Sequence, residues 1–343
     1  MSGVWREKKD KTWLLLVILP IAAFLFSFSI GRFPISPPEL LRTLYYSVAD
    51  PSQISDPNMS TVLFNIRLPR VLATMIIGGG LSIAGASYQG MFKNPMVSPD
   101  ILGASAGAAF GACVGMLMGL PTVYVQLLGF CGGIAAVTIA TTMTRRFGRD
   151  AILGLVLGGI MVSTLFQSGI SAIKLLADAE NKLPQITYWL MGSFNIMNRA
   201  RLLSILIPMT VGFITLFIMS WHLNAMSFGE EEARSLGVKT RRVRLLVIMA
   251  STLITASSVS VCGMVGWVGL VIPHLGRSLA GPNFKRLLPM CVILGSTFLL
   301  MVDNVARMAF TVELPIGILT AFIGVPFFFF IFNNNSKGGG RHD

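Results

Sequence analysis

Charge is what this 343-residue chain has least of: Asp, Glu, Lys and Arg make up 12% of it, against 53% hydrophobic residues. Soluble globular proteins carry about 25% charged residues. A chain this poor in charge cannot cover its surface with water-compatible side chains, so lipid must be the solvent for much of that surface. Cysteine is sparse as well. Cys113, Cys131, Cys262 and Cys291 sit in apolar runs without metal-ligand spacing, which argues against a disulfide framework or a thiolate metal centre and leaves buried free thiols. Three histidines, one of them among the last residues, supply no polar catalytic cluster. A G-x-x-x-x-G-K-[ST] phosphate loop is missing, because Gly237-Val238-Lys239-Thr240 does not complete one. If ATP drives this protein, another subunit binds it. No pair of carboxylates lies in the middle of an apolar run, where proton-coupled transporters place their relays.

What the chain does have is long apolar stretches. A helix crosses the hydrocarbon core with about 20 apolar residues. Stretches of that kind run 12–31, 71–92, 101–144, 151–173, 202–229, 245–276, 287–302 and 314–336. The first is read as a retained span, since no small-residue cleavage site follows it. Gly119-Leu120-Pro121 divides 101–144 into two helices, because Pro removes a donor and disfavours a helical residue before it. Gly263, Gly266, Gly269 and Pro273 divide 245–276 into one full span and a shorter or interrupted helix. Ten spans result, and an even number puts both termini on one side. Glycines at 103, 107, 111, 115 and 119 form a ridge along the third span. Such a ridge lets helix backbones approach closely in a tight bundle.

The net charge of +12 is explained by topology rather than by nucleic acid, because the basic residues fall in short clusters between apolar runs. With the N terminus inside, the inner segments hold 18 Lys or Arg: four at 6–11, Lys93, three at 145–149, five at 234–244, three at 277–286 and two after 336. The outer segments hold nine. The positive-inside rule therefore places both termini in the cytoplasm. The segment 227–244 combines Glu230, Glu231 and Glu232, which favour the start of a helix through its dipole, with Gly237, suited to end one in the left-handed conformation. A basic piece from Val238 to Arg244 follows. Arg67 and Arg70 flank Pro69, a first-turn residue, and both are expected at the outer face. Asp303 has the i+4 spacing to pair with Arg307. His274 and His222 are read as structural residues near the inner border.

Five motifs follow one another in order. They are Arg67-Leu68-Pro69-Arg70 with Gly78-Gly79-Gly80, Gln89 and Asn94-Pro95-Met96-Val97-Ser98-Pro99; Tyr188-Trp189-Leu190-Met191-Gly192-Ser193; Glu232-Ala233-Arg234-Ser235-Leu236-Gly237-Val238; Gly269-Leu270-Val271-Ile272-Pro273-His274 with Arg277; and Glu313-Leu314-Pro315-Ile316-Gly317. Together, over about residues 60 to 332, they resemble the FecCD-type permeases of type II ABC importers, which take up iron-siderophores, haem and cobalamin. Met96 stands where that family has Leu.

The resemblance implies an all-α polytopic membrane bundle of about ten transmembrane helices. The chain would be a single permease domain, 1–343, with cytoplasmic tails at 1–11 and 337–343 and a cytoplasmic coupling loop at 227–244. The implied function is translocation of a metal chelate or corrinoid, delivered by an extracytoplasmic substrate-binding protein, across a prokaryotic cytoplasmic membrane. The implied assembly is a homodimer with two ABC ATPase subunits. ATP and Mg are expected on those subunits, with no cofactor, no metal site and no bond chemistry in this chain. Glu230, Glu231, Glu232, Ala233, Arg234, Leu236 and Gly237 are implied to couple to the ATPase. Arg67, Arg70 and Arg307 are implied to dock the binding protein. Gln89 and Asn94 are implied to line the path, with Gly148 and Arg149 at its gate, where some relatives have small hydroxyl residues instead. The alternatives are an ion-gradient-driven secondary transporter of a small solute, which needs an intramembrane carboxylate, and a membrane-embedded enzyme, which needs a polar cluster.

Overall fold

The computed structural model describes residues 18–28, 61–144, 151–309 and 312–338, with short pieces at 38–39, 42–43 and 45–46. These residues are 84% helical and contain no strand. The helices are α1 (Ile18–Phe28), α2 (Leu68–Phe92), α3 (Ala104–Leu117), α4 (Thr122–Thr144), α5 (Ala151–Leu176), α6 (Lys182–Leu190), α7 (Arg199–Ile218), α8 (Ser220–Phe228), α9 (Glu230–Ser235), α10 (Thr240–Cys262), α11 (Val268–Ala280), α12 (Phe284–Met308) and α13 (Ile316–Gly338). A π-helical turn, Val62–Arg67, leads directly into α2. Among the described residues, six helices are long and apolar enough to cross a membrane: α2 with its π turn, α4, α5, α7, α10 and α12. The shorter apolar helices α1, α3 and α13 and the short, continuous α11 occupy the remaining expected spans.

Both predicted divisions occur. Residues 118–121 separate α3 from α4, and residues 263–267 separate α10 from α11, whereas Gly269 and Pro273, expected to share in that second break, lie inside α11. The stretch 202–229 is also broken, at Met219, so that α8 is a separate helix. The basic piece after Gly237, by contrast, is not separate: Thr240 to Arg244 form the first turn of α10.

Two helices make the centre. The apolar windows of α2 and α10 are 83% and 78% buried, against 28% for α5 and α7 at the periphery. Lipid tails provide no hydrophobic drive between helices, so close packing must hold them together. The glycine ridge does this between α3 and α4. A Cβ on Gly107 would lie 2.4 Å from Gly132 O, and one on Gly132 would lie 2.3 Å from Gly107 O. On the other side of the bundle a Cβ on Gly85 of α2 would lie 1.8 Å from Gly269 O of α11. Neither contact admits a side chain.

The breaks fall together. Ser193 N donates to Cys262 O at 2.8 Å, Ile316 N to Gly192 O at 2.9 Å and Gly317 N to Met191 O at 3.0 Å. Three unwound segments thus satisfy one another's backbone groups, the condition under which non-helical backbone is tolerated at membrane depth. Gly263 makes this possible with φ +73° and a backbone approach to Trp189 O that a Cβ would obstruct at 2.1 Å.

Candidate functional site

The expected site residues gather at two ends of the bundle. One carries α9 and is called the Glu230 end. The helix starts with its three glutamates and stops at Gly237, where φ is +80°. Only a residue without Cβ adopts that conformation freely. Glu230 locks the short helix onto the bundle. Its Oε1 accepts from Arg234 Nη2 at 2.8 Å and from the Thr240 hydroxyl at 3.1 Å, and its Oε2 accepts from Arg244 Nη2 at 2.9 Å. Burial opposes ionisation of Glu230, but Arg244, Thr240 and Arg234 outweigh it and hold the carboxyl below the usual glutamate range. Glu231, Glu232 and Arg234 face water, and Leu236 is 59% exposed. Ala233 differs from its expected role: it is fully buried and presents nothing outward. Its small side chain instead lets α9 lie flat on the helices beneath.

The opposite, Arg70 end brings together residues far apart in sequence. Arg70 Nε and Nη2 donate to Asp303, at 3.1 and 2.8 Å, while Nη1 and Nη2 donate to Glu313 at 3.1 and 2.9 Å. Arg307 Nε lies 3.4 Å from Asp303 Oδ2, the i+4 pair expected from spacing. Arg307 also donates to Ser27 Oγ at 2.9 Å and to Asn304, and Arg67 donates to the Phe28 carbonyl. The three expected arginines do converge. They are not the exposed cations that the sequence suggested: Arg67 and Arg70 are 5% and 7% exposed. Two carboxylates draw Arg70 and Arg307 inward, and Ser27 and Phe28 of α1 contact Arg307 and Arg67.

Gln89 and Asn94 line one cavity of about 460 Å³ at the Glu230 end, together with Lys93, His274 and Arg277. Gln89 is buried; its Oε1 accepts from Arg277 Nη1 at 2.5 Å, and its Nε2 donates to Leu270 O at 3.3 Å. Asn94 is exposed, and its Oδ1 accepts from Met96 N at 2.9 Å. Gly148 and Arg149 lie outside the described residues. Sequence reasoning gave no role to Glu313, Thr240, Arg244 or Arg277. Glu313 and Arg277 stand in the quoted motifs, which was a usable signal. Nothing in the sequence pairs Arg244 with Glu230. Among the described residues no group of three or more His, Cys, Asp or Glu converges to hold a metal.

This architecture has close counterparts. The pattern of the FecCD transport family matches residues 16–334. The molybdate import system permease protein MolB of Haemophilus influenzae is 38% identical over 324 residues, 94% of this chain and 96% of the relative. The cobalamin import system permease protein BtuC of Halobacterium salinarum is 35% identical over 287 residues, 83% of this chain and 77% of the relative. Among solved structures, an inward-facing metal-chelate type ABC transporter superposes with a TM-score of 0.84 at 37% identity, over 95% of this chain and 99% of that one. The chain therefore belongs to the FecCD transport family: it is a multi-pass membrane permease subunit of an ATP-binding-cassette importer, a transport component and not an enzyme, with the ATPase on a separate subunit.

Proposed function

We propose that this permease moves a metal chelate or corrinoid, handed over by a substrate-binding protein at the Arg70 end and released at the Glu230 end. The molybdate permease among the relatives extends the range to a metal held as an oxyanion. The positive-inside count puts the Glu230 end and both termini in the cytoplasm. The observation that carries the reading is α9: a short helix fixed by ion pairs that holds Leu236 out to water beside Glu231 and Glu232. An exposed apolar side chain on a rigid mount is the form of an interface anchor. We place an ATPase subunit there, with Glu231, Glu232 and Arg234 as polar rim contacts and Gly237 as the end of the mount.

Two copies would enclose the path. The exposed row Leu153, Leu157, Met161 and Leu165 on α5 is an apolar stripe at helical spacing that suits a second copy. Gln89 and Asn94 would line the inner part of that path, and Gly148 and Arg149 would flank its gate. Arg67, Arg70 and Arg307 would support the binding-protein site from beneath. ATP binding and hydrolysis on the partner shift the bundle between two states only through differential contacts at α9.

Proteoliposomes holding the permease with its ATPase test this. Radiolabelled chelate, corrinoid or molybdate, presented with the binding protein, should enter only when ATP is supplied at the α9 face. Uptake driven by an imposed ion gradient without ATP would overturn the proposal.

A further inference from the structure

A cavity of about 420 Å³ opens at the Arg70 end between α3, α4, α6, α7 and α10 of a single chain. None of the residues expected to dock, gate or couple lines it. Its lining includes Arg201, Gln126, Gln185 and Asn195 together with Leu120 and Trp189. Arg201 is half-buried, and the one bond its guanidinium makes among the described residues runs from Nη1 to Val261 O at 3.3 Å. No carboxylate pairs with it among those residues. A guanidinium has five donors, so most of its donor capacity is left for the cavity. The Gln126 Nε2 atom is buried and has no hydrogen-bond partner among the described residues. A half-buried cation without a carboxylate and an orphaned amide donor lining the same cavity are each costly to leave unmatched. Both are matched by the same thing, an anion with several oxygen acceptors, which guanidinium binds in a two-pronged geometry.

We infer that this cavity is an anion-binding subsite that takes an oxygen-rich group, either a metal oxyanion or the carboxylate face of a small metal chelate. Arg201 is its counter-ion and the Gln126 amide its second donor. The volume lies near the lower end of small-ligand sites, about 300–1,000 Å³. A bare oxyanion leaves room for water there, and a small chelate finds an apolar wall for its body. The role of the subsite rests on the importer reading: it holds substrate beside the entrance, within one protomer, before the path closes around it.

The permease–ATPase complex in zwitterionic nanodiscs is titrated calorimetrically with molybdate and, separately, with ferric citrate. One of the two should bind at one site per chain, and which one does so separates oxyanion from chelate. Arg201→Gln should weaken that binding about tenfold or more, as expected when a charge-assisted pair is lost. Gln126→Leu should weaken it several-fold, while Arg199→Gln, exposed one half-turn earlier, should leave it unchanged. Should Arg201→Gln fail to fold, Arg201→Lys, which keeps the charge but loses the fork, and Gln126→Leu carry the test. Absence of binding of both anions to the wild type, or equal binding by the Arg201 and Gln126 variants, overturns the subsite. Normal ATP-driven uptake without measurable anion binding overturns it too and leaves the importer reading standing. Intact binding with no ATP-driven uptake does the reverse.

Discussion

Arg70 holds two carboxylates, Asp303 from α12 and Glu313 from the segment before α13, so one side chain ties three parts of the chain together. Taking it away removes the cation held by Glu313 and leaves Asp303, which has no exposure, only the longer contact to Arg307 at 3.4 Å. Removing one partner of a buried pair costs about 3–5 kcal/mol. Arg70→Ala should therefore lower the thermal unfolding midpoint in detergent markedly, and Asp303→Asn with Arg70→Gln should recover part of the loss. A midpoint equal to wild type for Arg70→Ala would show that the cluster is not structural. Leu236 makes the opposite case, because it stabilises nothing visible in the isolated chain. Leu236→Asp should leave the unfolding midpoint unchanged yet abolish copurification of the ATPase, since truncating an interface anchor costs about 2 kcal/mol or more. Retention of the ATPase at unchanged affinity would reduce α9 to a connector.

At the scale of elements, α9 depends on ionisation of Glu230. Its carboxyl titrates below the unfolded value of 4.5. A depressed folded-state value means that the tether is fully present above the unfolded value and is lost as pH falls through the folded one. A nitroxide on Ser235→Cys should therefore gain mobility only below about pH 4.5, the unfolded reference. In Glu230→Gln it should be mobile at neutral pH. A pH-independent spectrum in the wild type would remove Glu230 as the tether. The α3–α4 pair depends instead on missing side chains: a Cβ on Gly111 would sit 2.1 Å from Leu128 O. Gly111→Val must push the helices apart, and overpacking costs about 1–3 kcal/mol. The expected result is a lower unfolding midpoint; Gly266→Ala, where a Cβ meets nothing within 4 Å, is the control.

For the whole molecule, the distribution of basic residues predicts which end faces the cytoplasm. Cysteines placed at Ser227 and at Glu180, after replacement of the four native ones, should react with an impermeant thiol reagent from opposite sides of the membrane. Both positions are exposed, near opposite ends of the bundle. Labelling of both from outside would overturn the topology.

The class of the molecule and most of its helix breaks can be read from the chain alone. Scarce charge requires a lipid-facing surface, apolar run length sets the spans, and Gly and Pro act locally through backbone sterics, so 118–121 and 263–267 were legible as breaks. Gly237 was legible for the same reason, and Arg307 was legible as the i+4 partner of Asp303. What the long-range polar groups do follows from the packing of the helices. Arg70 meets Asp303 and Glu313 across more than 230 positions, Gln89 meets Arg277, and the cavity beside Arg201 is assembled from five helices. In a linear reading Arg67 and Arg70 look like surface cations, because nothing local says whether a charge will face water or a distant carboxylate. That choice depends on how α1, α2 and α12 pack, and so on three-dimensional proximity, which periodicity along one helix does not encode.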